Sequence, residues 1–228
     1  MKNLKELAQI YNTDKDTSHN YTKVYENFFS VFKNKNIQLF EIGISHGGSL
    51  EMWRDYFPNA NICGFDINKK KFTIKDVDIQ VGNQVDTVFL SKLVKKYKYF
   101  DIIIDDGSHI SYHIIKTFTF LFDYLSENGI YVIEDLHTSY FPRYGGSRIN
   151  LKKKNTSMNF IKQLLDSINY ENFNRPFYKK NKFDGKINSI SLHQNICFIK
   201  KGKSRSFLYK RANKSFIEKL KKLCSRLF

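Results

Sequence analysis

The sequence predicts an α/β fold: a seven-stranded, mostly parallel sheet with a C-terminal antiparallel hairpin and helices on both faces. Three observations carry this. Short apolar runs alternate with helical patterns from Ile37 to Glu134. Several of these runs, such as Ile102-Ile-Ile104, are continuously apolar, the mark of strands covered on both faces. Two further runs, Ile187–Leu192 and Ile196–Lys200, flank the tight connection His193-Gln-Asn195 and read as a hairpin.

The elements follow in order. Lys2–Tyr11 is a helix, and Tyr21–Lys33 is another, from Tyr21, Val24, Tyr25, Phe28, Phe29 and Phe32 at helical spacing. The polar stretch Asn12–Asn20 between them reads as a solvated loop. Parallel strands are predicted at Ile37–Ile42, Asn61–Asp66, Asp78–Val81, Phe100–Asp105 and Ile130–Glu134. Helices at Ser49–Phe57, Val85–Tyr97 and Ser111–Leu125 supply right-handed crossovers. Asn150–Asn155 is a basic loop and Ser157–Ile168 a helix. The chain thus divides into an N-terminal helical lid (1–36), a central α/β domain (37–202) and a basic C-terminal segment (203–228). A dehydrogenase would carry a second parallel mononucleotide-binding unit where this chain has its hairpin.

Composition bounds the function. The chain has 228 residues, a length for one decorated α/β domain. Hydrophobic residues at 41% and aromatics at 16% exclude a disordered chain. Three cysteines, Cys63, Cys197 and Cys224, exclude a disulfide scaffold and lack zinc spacing. No apolar run reaches the ~18 residues of a membrane span, and the N-terminus has no apolar signal core. A soluble, cytoplasmic protein with reduced thiols is expected. The net charge is +16, but residues 201–228 hold ten Lys or Arg against Glu218 alone. Much of the basicity therefore belongs to the tail. There Phe216, Ile217, Leu220, Leu223, Cys224, Leu227 and Phe228 recur at helical spacing. Such a helix suits its own domain, a partner, or a peripheral position on an anionic membrane. No nucleic-acid-reading motif accompanies the charge, so no nucleic-acid partner is expected.

The first strand runs into Leu39-Phe-Glu-Ile-Gly-Ile-Ser-His-Gly-Gly-Ser49. Gly43, Gly47 and Gly48 allow close approach of a ligand to the backbone, and the helix opening at Ser49 favours negative charge. The spacing is not the G-x-G-x-x-G of dinucleotide binding. Asp66 ends the next strand, where a carboxylate can accept both hydroxyls of a ribose; helix capping is its bland alternative. Glu41 would repel a pyrophosphate but suits a sulfonium, which favours S-adenosyl-L-methionine over NAD. Asn83 and Gln84 end the third strand, where small polar groups can receive an adenine or simply form a turn.

Two acidic clusters end neighbouring strands: Ile104-Asp-Asp-Gly-Ser-His109 and Val132-Ile-Glu-Asp-Leu-His137. Both project from the carboxyl edge of the sheet, where ligands bind in open α/β folds. So many carboxylates need a cation. Asp106, Glu134 and Asp135 form an all-oxygen set for Mg²⁺, with capping as the alternative for Asp105 and Asp135. A sugar hydroxyl is too weak an acid to ionise at neutral pH. A divalent ion holding two neighbouring hydroxyls lowers that pKa, and His109, three residues beyond Asp106, is the expected general base. His137 is the rival base. His19, His46, His113 and His193 are expected at the surface or behind the site.

YNTDK (11–15), YTKVYENFF (21–29), EIGISHGGSLEMWRDYFPNA (41–60), IIIDDGSH (102–109) and GIYVIEDLHTSY (129–140) resemble the metal-dependent sugar O-methyltransferases of the macrocin and mycinamicin type. Relatives occur in bacterial capsule and surface-glycan clusters. The likeness spans about residues 5–145, with an echo in NSISLHQNICFIKKG (188–202). It implies a Rossmann-like class I methyltransferase fold, S-adenosyl-L-methionine and Mg²⁺. Carried over by motif, Asp106, Glu134 and Asp135 are metal ligands and His109 is the base. Glu41, Gly43, Ser49, Asp66 and Asp105 contact the cofactor, and Thr13 and Lys15 cover its methionine carboxylate. Trp53 and Tyr56 read as core. Asn83 stands where many relatives carry aspartate, and SLHQNICF replaces an aromatic-rich strand, so acceptor preference can differ.

The implied activity is methylation of a sugar hydroxyl, on a nucleotide-activated or glycan-linked sugar in capsule or surface-polysaccharide biosynthesis. Arg143, Arg148 and Lys152 to Lys154 would meet a nucleotide diphosphate, or form a solvated loop. Two alternatives stand: a methyltransferase on a catechol-like or other small diol, and a non-catalytic protein of the same fold recruited to a membrane assembly. The early aromatic helices suit a lid or a homodimer surface.

Overall fold

The structure is a computed structural model that describes residues 2–173, 178–203 and 218. The predicted tail helix, apart from residues 203 and 218, lies outside the described residues. No helix among the described residues is long and apolar enough to cross a membrane.

Seven strands form one sheet in the order β3-β2-β1-β4-β5-β7-β6. They are β1 (Gln38–Ile42), β2 (Asn61–Asp66), β3 (Val77–Val81), β4 (Phe100–Asp105), β5 (Leu125–Ile133), β6 (Ile187–His193) and β7 (Ile196–Lys201). The first five pair in parallel, and β7 runs antiparallel to both β5 and β6. The expected five parallel strands and closing antiparallel hairpin are therefore observed, in a strand order that the sequence reading did not specify. Strand β5 starts earlier than the sequence suggested, at Leu125 rather than Ile130. A register shift against Phe100 and Ile102 absorbs the polar Ser126–Asn128 insert.

The helices are α1 (Leu4–Ile10), α2 (Asp14–Thr17), α3 (Thr22–Phe29), α4 (Gly48–Tyr56), α5 (Thr87–Tyr97), α6 (Ser111–Leu121) and α7 (Ser157–Ile168). Their starts have local causes. Asn3 and Glu6 form a capping box on α1. Asp86 accepts from the Val88 and Phe89 amides, which moves the start of α5 two residues past the expected Val85. Thr156 caps α7 through the Asn159 amide. The stretch expected as a loop, Asn12–Asn20, contains the single turn α2.

Alternation along the strands divides the core in two. Phe40, Ile42, Ile103, Tyr131 and Ile133 pack with α5, α6 and α7 on one face. Leu39, Ile102, Ile104, Ile130 and Val132 pack on the other with Leu4, Leu7, Tyr21, Tyr25, Phe29 and Trp53. The N-terminal helices thus bury their apolar stripe in the second core layer itself. Trp53 and Tyr56 are fully buried there, as expected.

Cys63 and Cys197 are free and buried, and burial pushes both thiols up to about 12. At pH 8 they are expected to react with iodoacetamide at least ~10³-fold more slowly than an exposed thiol. Peptide mapping of the native chain checks this; labelling of either residue at the rate seen in guanidinium would contradict the packing.

Candidate functional site

The carboxyl ends of β1, β2, β3 and β4 surround a cavity of about 170 Å³ lined by Gly43, Asp66, Gly82, Asn83, Gln84, Gly107, Ser108 and His113, among others. Gly43 makes the floor possible. Its φ is +81°, and a Cβ there would sit 2.1 Å from the Asp106 carbonyl oxygen. Asp66 stands at the rim. Burial works to raise its pKa, but Lys70 at 2.8 Å and the Asn68 and Ile44 amides hold it below the usual carboxylate value.

Of the expected cofactor residues, Gly43, Asp66, Asn83 and Gln84 line this cavity. Gln84 is also a strut: its carbonyl oxygen accepts from the Ser108 amide and its amide nitrogen donates to Asp105. Asp105 is not on the cavity wall. It alternates onto the α5–α6 face of β4, where it is 1% exposed and accepts from Gln84 and Tyr131. Burial pushes its carboxyl up to about 7. Ser49 donates to Glu41, which is wholly buried. Thr13 is buried as well. Ser108 and His113, bonded to each other at 2.8 Å, were not read as cavity residues; their only sequence signal is position just beyond β4.

The acid centre lies beside this crevice. Asp106, His109 and Asp135 each offer a ligand atom, and these atoms all lie within 4.8 Å of one another. Two of the three stand on positive-φ backbone, His109 at 57° and Asp135 at 53°, in the sharp turns that end β4 and β5. His109 Nε2 lies 3.8 Å from Asp135. His137 is not part of this group; it packs on Phe141, and its Nδ1 has no partner among the described residues.

Glu134 is engaged from below. Its Oε1 accepts from Lys15 Nζ at 2.5 Å and from the Tyr25 hydroxyl, whereas its Oε2 makes no hydrogen bond among the described residues. Lys15 also reaches Asp106 at 2.9 Å and Glu41 at 3.4 Å. The loop that reads as solvated from its residues thus carries a lysine that is 1% exposed, inside the acid centre. Burial opposes its charge, yet Asp106, Glu134 and Glu41 together outweigh burial and hold its pKa well above normal. One ammonium does not satisfy three carboxylates, and desolvation still raises both Glu134 and Glu41.

The same N-terminal stretch contributes more. Tyr21 donates to Asp135 at 3.0 Å, and His19, stacked on Tyr21, lies 3.5 Å from Asp135. His46 donates to the Asn12 carbonyl at 3.1 Å, tying the glycine loop to this stretch. Helical spacing marked Tyr21 and Tyr25 only as core. Their hydroxyls were the available signal, since a buried Tyr O–H needs a polar partner.

No family model matches the chain. It is 34% identical to mycinamicin VI 2''-O-methyltransferase of Micromonospora griseorubida over 88% of its own length and 53% of that protein's. It is 35% identical to demethylmacrocin O-methyltransferase of Streptomyces fradiae, over 87% and 53%. In fold it is similar to MycE, a methyltransferase of the mycinamycin biosynthetic pathway solved with Mg and S-adenosylhomocysteine. The TM-score is 0.86 at 33% identity, covering 90% of this chain and 56% of that one. The sheet, its terminal hairpin and the glycine-floored crevice define a class I methyltransferase fold. Within that class the chain is similar to sugar O-methyltransferases, of which MycE is solved with Mg and S-adenosylhomocysteine. It spans about half the length of the curated relatives it matches.

Proposed function

We propose that this chain is an S-adenosyl-L-methionine- and Mg²⁺-dependent O-methyltransferase acting on a sugar hydroxyl. The observation that carries the reading is the convergence of Asp106, His109 and Asp135 within 4.8 Å, next to a glycine-floored crevice with Asp66 at its rim. In the crevice, Asp66 would receive the ribose, and Asn83 and Gln84 the adenine.

The residues fit a divalent cation. Their donors are mostly carboxylate oxygens, Glu134 keeps one oxygen unengaged, and the buried Glu41 Oε1 lacks a hydrogen bond. Charge points the same way. Glu41, Asp106, Glu134 and Asp135 meet one ammonium, Lys15, and the three negative charges left match a divalent ion plus a sulfonium. Asp106, Glu134 and Asp135 would hold the Mg²⁺, which when bound supplies a Lewis acid that makes an acceptor hydroxyl easier to ionise. His109 would take the hydroxyl proton. S-adenosyl-L-methionine, when bound, would supply the methyl group to the hydroxyl oxygen, the C–S electron pair staying on sulfur as S-adenosylhomocysteine leaves. Glu41, held by Ser49 and facing Lys15, would add a negative charge behind the crevice that suits a sulfonium.

The acceptor we favour is a sugar on a nucleotide or a larger glycoside. One relative, from Streptomyces olivaceus, is an 8-demethyl-8-alpha-L-rhamnosyl tetracenomycin-C 2'-O-methyltransferase, and MycE is also solved in complex with mycinamycin VI. They lend support to a sugar and none to a capsule setting. Arg143 and Arg148, stacked over Tyr144 and Phe141, follow Asp135 closely in the chain and would meet a phosphate.

Calorimetry with S-adenosylhomocysteine tests the cofactor reading, with NAD as comparator. A Kd of about micromolar is expected, weakened roughly 10–100-fold in Asp66→Ala by loss of a charged hydrogen-bond acceptor. Preference for NAD, or an unaffected variant, would remove the assignment.

A further inference from the structure

We propose that Lys15 is a resident counter-cation of the acid centre, one that shares Asp106 and Glu134 with the divalent ion and limits how tightly that ion is held. The inference rests on the metal reading above. Lysine is almost never fully buried unless paired, and here the pairing is complete. Two of its N–H groups donate to Asp106 and Glu134, and its third side faces Glu41 at 3.4 Å. An ammonium so enclosed, at 1% exposure, keeps no face for the carboxylate of a cofactor.

The position of Lys15 is built rather than incidental. Helix α2 is one turn long, and the Lys15 carbonyl is gripped by the Tyr21 amide at 2.7 Å. Thr22 ties Asp16 to the start of α3 at 2.7 Å. Tyr21 and Tyr25 then divide the adjacent carboxylates, one on Asp135 and the other on Glu134. Glu134 is thereby held with one oxygen on Lys15 and the other open. A fixed positive charge a few ångströms from the ligands repels a divalent ion, so the site holds its ion less tightly than its acids alone would allow. The chain is correspondingly stable without the ion, because Lys15 neutralises part of the buried charge.

The test is Mn²⁺ titration of the full chain, followed by the EPR signal of free ion, with melting points taken with and without Mn²⁺. Lys15→Met is expected to bind Mn²⁺ at least ~10-fold tighter than the native chain. It should melt lower without ion and regain more on adding it. Equal or weaker Mn²⁺ binding by folded Lys15→Met overturns the inference while leaving the metal reading intact. Asp135→Asn serves as the separate control and should weaken binding; a native chain that binds no Mn²⁺ overturns the metal reading and the ion-sharing with it. If Lys15→Met does not fold, Lys15→Met/Glu134→Gln should, because the excess buried charge is then removed. Failure of the double variant, with Glu134→Gln alone folded, overturns the counter-cation role.

Discussion

His109→Ala is expected to lower kcat by at least ~10²-fold with S-adenosylhomocysteine affinity unchanged. The imidazole stands with Asp106 and Asp135 but does not line the crevice that would take the cofactor. Its loss should therefore act on proton removal and not on cofactor binding. Backbone strain complicates alanine here, because His109 sits at φ 57°. His109→Asn answers this, since asparagine tolerates that conformation and has no basic nitrogen. Both variants should lose turnover to a similar degree while their Mn²⁺ binding stays close to native. Near-normal turnover would hand the proton to His137 or to water. Loss of Mn²⁺ binding would make His109 a ligand instead of the base.

Gly43→Ala is the second large effect expected, at roughly 3–5 kcal/mol of stability from backbone strain and overpacking together. The new methyl group would meet the Asp106 carbonyl at 2.1 Å and the Gly107 Cα at 2.9 Å, both backbone atoms that no side-chain rotation can move. The φ of +81° adds strain of its own. Any chain that folds must push the Asp106–Gly107 segment away from β1. That movement opens the crevice floor and displaces Asp106, so S-adenosylhomocysteine and Mn²⁺ binding should fall together. Urea unfolding and the two titrations check this. A native midpoint with native affinities would mean that β1 and the Asp106 turn do not approach this closely.

Much of the site was legible before the fold was known, and for local reasons. A continuous apolar run such as Ile102–Ile104 needs cover on two faces whatever surrounds it. Glycines between such a run and a helix mark close backbone approach. Acid pairs just past two adjacent strands must emerge at one sheet edge, which is how Asp106 and Asp135 were paired from the sequence. The direction of each carboxylate followed less directly. Alternation puts Glu41 and Glu134 on the face of Leu39 and Val132, and Asp105 on the face of Ile103. Asp105 consequently turns into the core, where it accepts from Tyr131 and stands behind Gln84 instead of on the crevice wall. That parity was present in the sequence but had no meaning until helices were assigned to faces.

By itself, then, the sequence determined the strands, the closing hairpin, the glycine floor and the acid-bearing strand ends, because hydrophobic period and backbone sterics act within a few residues. Tertiary structure alone decided where Lys15 goes. Nothing in Asn12–Asn20 is apolar, so no pattern marks it for burial, and its partners lie 91 and 119 residues away in Asp106 and Glu134. Its burial is a matter of charge balance, and a balance among buried charges exists only once the strands have brought the carboxylates together.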